Sequence, residues 1–319
     1  MAFLIGVDEA GYGPNLGPLV VAATVWEVPE ELLCAPLYGA LRRAVCRSPE
    51  QAGQTRLAVA DSKAIYRAGE GLEPLERNVL AALRMTGLEL ACWSELLRLA
   101  ALAPLAGGDL PWHAEHDPCL PTAACPRAVA ALADCASERL ARLGVRLAAI
   151  RLRPVFPREF NELVERHGLK SQALSVVTLE LLGDALAALP PTRVLAVCDK
   201  HGGRNRYAHL LQAQFPDPLI EIYGEGSDQS VYRWGPADAR VETRFCARGE
   251  AFLPTALASM VAKYVRELSM LAFNRFWCAR LPELRPTAGY PTDARRFDRE
   301  VGALRAQLGI EERCYWRSR

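Results

Sequence analysis

The chain opens with two apolar stretches separated by a glycine-rich turn, and the first of them ends in acid. Residues 3–8 (Phe-Leu-Ile-Gly-Val-Asp) carry no polar side chain before Asp8, and 18–28 (Pro-Leu-Val-Val-Ala-Ala-Thr-Val-Trp-Glu-Val) are nearly as apolar. Runs this short and this apolar predict buried strands. The Gly11-Tyr12-Gly13-Pro14 connection between them predicts an antiparallel pair. Successive side chains of a strand point to opposite faces, so Asp8 and Glu9 are expected to share a site only if the chain turns there.

Further strands are predicted at 145–152, 193–199 and 218–223, with a hairpin over 229–248 turning at Gly235-Pro236-Ala237-Asp238. Helical periodicity appears at 72–85, 126–143, 157–167, 171–189, 204–214 and 255–277. Strands alternating with helices, after one early hairpin, argue an α/β domain with a mixed sheet. Residues 30–58 and roughly 95–145 are rich in Ala, Leu and Pro and carry no evident chemistry. They read as insertions or a helical subdomain. With 319 residues, half of them hydrophobic, the chain has material for a substantial core.

A net charge of +1 announces no global field for a polyanion, although a local basic face fits inside a neutral total. Of 38 basic residues four are lysines (63, 170, 200 and 263), leaving 34 arginines. Ten cysteines without a CxxC pair read as free thiols of a reducing cytoplasm. The first residues meet Asp8 with no basic segment before it, which is not a signal peptide, and no uncharged apolar run reaches the ~18 residues of a membrane span. A cytoplasmic monomer without membrane association is the expectation. His113, His116, Cys119 and Cys125 imitate zinc-ligand spacing, but the pattern matches no common finger and lies in a Pro-rich stretch.

Asp199 ends a further apolar strand, Val194–Cys198. Carboxylates gathered at strand ends repel one another unless protonated or bridged by a cation, and an all-oxygen donor set favours Mg²⁺ or Mn²⁺ over zinc. On the helix from Pro254, residues Leu257, Val261, Val265 and Leu268 form a core stripe. Ser259, Lys263 and Arg266 form a polar stripe suited to backbone phosphates. Lys200-His201-Gly202-Gly203-Arg204 reads as a flexible basic loop over the site, with His201 more readily a loop histidine than a proton shuttle.

Five motifs in order resemble the ribonuclease HII family. They are Asp8-Glu9-Ala10-Gly11-Tyr12-Gly13-Pro14 with Gly17–Ala23, Ala60-Asp61-Ser62-Lys63, Asp199, the Ala258–Glu267 helix segment, and Gly289-Tyr290-Pro291-Thr292. The resemblance covers about two thirds of the chain, and the central stretch has no counterpart in a typical member. It implies a ribonuclease-H-like mixed β-sheet flanked by helices over residues 1–277, with insertions at about 30–58 and 95–145. A helical C-terminal segment, 278–319, would lie near the substrate groove. It implies metal ligation by Asp8, Glu9, Asp199 and Glu250, with Asp228 the alternative fourth acid because the spacing from Glu250 to Ser259 is one residue short. It implies two Mg²⁺ or Mn²⁺ ions and hydrolysis of the RNA strand of RNA–DNA hybrids, leaving a 3′-hydroxyl and a 5′-phosphate. Gly11, Tyr12 and Gly13 would approach ribose 2′-hydroxyls, Tyr290 would pack on the sugar beyond the junction, and Ser62, Lys63, Ser259 and Lys263 would meet phosphates. Tyr12 stands where members usually carry Arg or Lys. The alternatives are a hybrid-binding protein with weak or lost cleavage, and a DNA-directed nuclease of the same fold.

Overall fold

The computed structural model describes residues 1–66, 71–99 and 110–318. Its centre is a seven-stranded mixed sheet. The strands are β1 (Ala2–Ala10), β2 (Leu19–Val28), β5 (Arg146–Val155), β6 (Val194–Asp199), β7 (Glu221–Glu225), β8 (Gln229–Trp234) and β9 (Val241–Cys246), in the order β5-β2-β1-β6-β9-β8-β7. A separate parallel pair, β3 (Val45–Cys46) and β4 (Leu57–Ala58), lies in the 30–58 stretch. Strands β5, β2 and β1 run antiparallel, β1, β6 and β9 parallel, and β9, β8 and β7 antiparallel again. This is the mixed sheet flanked by helices, with a helical C-terminal region, that the sequence implies.

Strand periodicity divides the core in two. Leu4, Val20, Ala22 and Trp26 face the long helix Leu253–Arg280, while Phe3, Ile5, Val7, Val21 and Val25 face the helices Pro157–His167, Lys170–Ala187 and Ala208–Gln214. The long helix lies tight against β1. A Cβ on Gly6 would stand 2.1 Å from the Pro254 carbonyl carbon, so only glycine fits there. Two hydroxyls fix the start of the helix: Thr24 Oγ1 donates to the Pro254 carbonyl (2.8 Å) and Thr255 Oγ1 to the Val197 carbonyl (2.9 Å). Twenty of its 28 residues are buried. The polar stripe predicted on it is therefore not a solvated face: Ser259 and Arg266 are buried, because elements close over that side as well.

Three boundaries differ from the sequence reading. Strand β1 runs through both acids to Ala10 rather than turning at them, since Asp8 and Glu9 stay paired with Ala22 and Val21 of β2. The strand predicted at 218–223 starts at Glu221. Pro216 and Pro218 offer no N–H to a ladder, and Gln212 takes over that stretch through the carbonyls of Phe215, Pro216 and Pro218 and the Ile220 N–H. The helix predicted from 204 begins at Ala208, because the Tyr207 N–H is donated to the Tyr232 hydroxyl and the Arg204 carbonyl accepts from Tyr207.

The described part of the 95–145 stretch packs into the same core as the long helix. Trp112 meets Phe273 edge-on at 5.1 Å. His113 accepts from Trp93 Nε1 and bonds Ser269, so both ring nitrogens are engaged within the protein, and burial pulls its pKa down to about 4. The fully buried Glu76, on the helix Glu73–Met85, accepts from the N–H groups of Thr122, Ala123 and Ala124 and from the hydroxyls of Thr122 and Tyr264. One carboxylate thus ties the central stretch to two helices. Glu76→Ala leaves those donors buried without an acceptor and should cost at least about 3 kcal/mol. Urea unfolding at unchanged slope measures it, and a loss under about 1 kcal/mol would mean that water replaces the carboxylate.

Candidate active site

Three strands deliver acids to one end of the sheet. In the β1–β6 register Val7 lies opposite Cys198, so Asp8 and Asp199 extend side by side past the last paired residues. Asp8 shares the long-helix face with Leu4, and Glu9 shares the opposite face with Val7. Both nevertheless line a single cavity of about 400 Å³ together with Asp199 and Glu250. The expected turn at the acids is not what unites them; the end of the sheet is, because there the two faces meet.

Glu250 reaches the cavity through an unusual backbone. Arg248 has φ 123° and ψ 49°, a conformation that costs a non-glycine residue on the order of 1–3 kcal/mol. The chain leaving β9 reverses there into the short turn Gly249–Ala251. The Gly249 N–H donates to Asp199 Oδ1 (2.9 Å), and a Cβ on Gly249 would stand 3.1 Å from the Asp199 Cα. Asp228, the alternative fourth acid, is not among the residues lining the cavity; its carbonyl holds the Ala247 N–H instead.

Burial and mutual repulsion push these carboxyls toward the protonated form. Asp8 lies well above the usual range, first from burial and then from the charges of Glu9 and Asp199, with the Ser259 hydroxyl pulling the other way. Glu9 is pushed up to about 8, again by burial and then by Asp199, with Lys63 opposing. Asp199 is raised by burial and by Glu250, although the N–H groups of Gly249 and Lys200 oppose this. Two carboxylates already spend an oxygen on backbone: Asp8 Oδ1 accepts the Glu9 N–H (2.7 Å) and Asp199 Oδ1 that of Gly249. Among the described residues no three His, Cys, Asp or Glu side chains stand ready-made around a metal position. The donor chemistry, oxygen atoms of carboxylates crowded together, fits a divalent cation.

The other walls come from the remaining motifs. Asp61 caps the turn Ser62–Ile65 by accepting the Lys63 N–H, and Ser62 Oγ lies 3.3 Å from Ser259 Oγ. Lys63 stands exposed on the rim. Lys263 lines the cavity but is paired with Glu267 (2.7 Å), whose other oxygen accepts from Tyr66. Tyr290 is 56% exposed, its ring 3.9 Å from where a Gly13 Cβ would stand. Gly11 has φ +86°, and a Cβ there would lie 2.5 Å from Arg266 Nε and from the Pro18 carbonyl. Gly11, Tyr12 and Tyr290 thus form one side of the cavity.

Two expectations for this region are corrected. Arg266 does not present its guanidinium to solvent: it is buried and donates to the carbonyls of Leu16 (3.4 Å) and Ala288 (3.0 Å). The Lys200–Arg204 segment is not a free basic loop. Lys200 is buried, held by Asn205 (2.7 Å), the Gly226 carbonyl and Ser230. His201 is buried too, bonded to Ser175 (2.8 Å) and packed edge-on against Tyr207 and Phe245, and its pKa falls to about 3. It is a neutral core histidine.

The sequence reading missed Arg317. Fully buried, it donates to the Gly11 carbonyl (2.6 Å) and to that of Pro14, while Trp316 bridges to Leu16. Burial and the nearby Arg266 lower its pKa to about 9, so it remains a cation at neutral pH. With Arg266 it pins the 11–18 loop from beneath. An arginine two residues after the short helix Glu312–Tyr315 carries no local signal for this role.

No protein-family model and no curated protein sequence matches the chain. Among solved structures it is similar to ribonuclease H2 from Pyrococcus horikoshii OT3, at 16% identity and TM-score 0.44 over 98% of this chain and 92% of that one. It is similar to the ribonuclease HII of Archaeoglobus fulgidus, solved in complex with PCNA, at 17% identity and TM-score 0.43 over 99% and 94%. Bst ribonuclease HIII, solved with Mn²⁺, aligns at 17% identity and TM-score 0.42 over 99% of this chain and 66% of that one.

The raised carboxyls make a prediction about stability. Folded Glu9 holds its proton to about pH 8, whereas the unfolded side chain loses it near 4.5, so the folded state binds more protons between those values and stability falls as pH rises through them. In metal-free buffer Glu9→Gln should therefore raise the Tm by several degrees at pH 8 and hardly at all at pH 5. Equal shifts at both pH values would refute uncompensated charge as the cause.

Proposed function

We propose that this chain hydrolyses the RNA strand of RNA–DNA hybrids with divalent cations, two Mg²⁺ or Mn²⁺ ions, held by Asp8, Glu9, Asp199 and Glu250. The observation that carries the reading is the convergence, in one cavity, of four carboxylates from three chain segments, three of them driven toward protonation by burial and by one another. A buried acidic cluster of this kind is unfavourable until cations neutralise it. Asp8, Glu9, Asp199 and Glu250 would hold such cations, which would activate water near neutral pH and offset the charge that builds on the phosphate.

The chain's own groups do the rest. The Lys63 ammonium, beside Ser62 on the opposite wall, meets a phosphate oxygen and holds the backbone in line with the acids. The backbone of Gly11 and Gly13, bare of side chains, approaches the ribose, where a 2′-hydroxyl distinguishes RNA from DNA. The exposed ring of Tyr290 packs on the neighbouring sugar. Arg266 and Arg317 hold the glycine loop at its working height without touching substrate. No side chain acts as a covalent nucleophile. By this reading the protein is a cytoplasmic monomer.

Matched hybrid, chimeric and all-DNA duplexes, labelled on one strand and incubated with Mg²⁺ or Mn²⁺, test the proposal. Metal-dependent cutting confined to RNA is expected. Cutting of the all-DNA duplex, or metal-independent cutting, would overturn it. Asp8→Asn and Asp199→Asn should each reduce kcat by more than the ~100-fold that loss of an outer-shell metal partner costs, with the fold retained. Glu250→Gln should cost far more than Asp228→Asn, and the reverse order would move the fourth ligand.

Tyr12 sets a further expectation. It offers a ring and one hydroxyl where a cation would hold phosphate, and it stands beside Glu9 and Arg204. Tracts of several ribonucleotides, gripped through several 2′-hydroxyls, should be cut efficiently, and a lone ribonucleotide in duplex DNA poorly. Tyr12→Arg should narrow the ratio of the two kcat/KM values at fixed salt. Equal efficiency in the unmutated protein would contradict this role.

A further inference from the structure

Away from the acids, the 30–58 stretch and the end of the helix Pro126–Ala141 enclose a second concavity of about 580 Å³. Five arginines line it: Arg42, Arg43, Arg56, Arg139 and Arg142. Among the described residues one of the five has a carboxylate partner, Arg142 with Glu138 at 2.5 Å. Three of the others are held by carbonyls. Arg139 Nη1 donates to the carbonyls of Arg43 (2.7 Å) and Thr55 (2.9 Å), and Arg56 to those of Arg42 (3.4 Å) and Gln51. Arg42 reaches the Gly39 carbonyl at 3.5 Å. Carbonyls orient a guanidinium but leave its charge in place. Four unmatched cations facing one hollow repel each other, in a chain whose net charge is +1, and a multivalent anion is the ligand that relieves this.

The position of the hollow says which anion. Arg56 immediately precedes β4, and the chain from β4 leads to Asp61, Ser62 and Lys63 in the acidic cavity. Asp61 follows Arg56 by five positions, so their Cα atoms lie no more than about 18 Å apart. Along a duplex axis each strand presents a phosphate every ~3.4 Å, so that distance spans at most about five phosphates. We infer that the arginine hollow is a second phosphate-binding site, which grips the backbone of the same duplex several phosphates away from the acids. Fork-shaped guanidinium donors suit phosphate, and the 30–58 stretch gains a role in the length of duplex the protein holds. The inference rests on the nuclease reading for the identity of the duplex.

The experiment is binding, not cutting. Fluorescence anisotropy in EDTA measures the Kd of the full chain for an RNA–DNA hybrid and for an all-DNA duplex, each of ~20 base pairs, across a salt series. The combined Arg42→Gln/Arg43→Gln/Arg56→Gln variant should weaken binding of both duplexes at least ~10-fold and lower the salt slope by about 2–3. Arg56 also supports the local backbone, so Arg42→Gln/Arg43→Gln alone, on two exposed side chains, should give an intermediate loss in a protein of unchanged Tm. Arg166→Gln, exposed on the helix Pro157–His167 that covers the opposite face of the sheet, is the control. Unchanged affinity for the duplexes in both variants, or an equal loss in the control, overturns the site. So does loss of pyrophosphate binding in the triple variant while duplex binding stays intact, which would make the hollow a small-anion pocket. A protein that binds through these arginines and cuts nothing would defeat the nuclease reading and leave this one standing; one that cuts hybrids with no change in the variants would do the opposite.

Discussion

The site depends on how closely the long helix can lie against the central strand. Gly6 leaves a gap in β1, and the Pro254 carbonyl fills it. Thr24 from β2 and Thr255 toward β6 then fix the helix start in rotation and in height. From that origin Ser259 falls, just over one turn further along, beside Asp8 and Ser62, and Arg266 falls two turns beyond it under the glycine loop. Any side chain at Gly6 lifts the helix and with it every wall that the helix contributes, so a residue with no chemistry of its own sets the geometry of the chemistry around it.

Much of this was legible in the sequence, for a local reason. The apolar run into Asp8, the glycine turn and the second run specify a hairpin from neighbours alone, and the Gly235-Pro236 turn does the same for β8 and β9. The core stripe of the long helix followed from its period, and Leu257, Val261, Val265 and Leu268 are all buried. What escaped was decided by residues far apart in the chain. Lys200 and Arg266 look like surface cations in any local window. Each is buried because carbonyls from other segments, Gly226 for one and Ala288 for the other, face it. Arg317 meets Gly11 across 306 residues, and Glu76 meets Ala124 across 48. The convergence of Asp8 and Glu9 was right for a reason the periodicity argument did not supply: at the end of a strand the two faces of a sheet are no longer separated.

Opposite charges occupy adjoining layers of this end of the molecule. Acids gather beyond the strand tips, and two buried guanidinium groups, Arg266 and Arg317, lie beneath the loop that follows. They do not neutralise each other as ion pairs. Both arginines donate to backbone carbonyls of the 11–18 loop, and Arg266 meets Glu267 at 3.8 Å rather than one of the cavity acids. The same economy appears in the arginine hollow, where carbonyls again hold cations in place without cancelling them. Charge left available and held rigid is charge that can act on something else.

The central position of β1 also dictates the order in which the molecule can form. Its antiparallel partner follows after a short turn, but on its other edge Phe3 pairs with Val194, 191 positions later. At ~5–20 residues per second a ribosome takes roughly 10–40 s to deliver that strand. Through this interval the first hairpin has an open edge and two uncovered apolar faces, the state in which a nascent chain is most prone to wrong partners. The long helix that seals one face comes later still. Loop closure over such separations is slow, so the last part of the molecule to become ordered is the end that carries the acids.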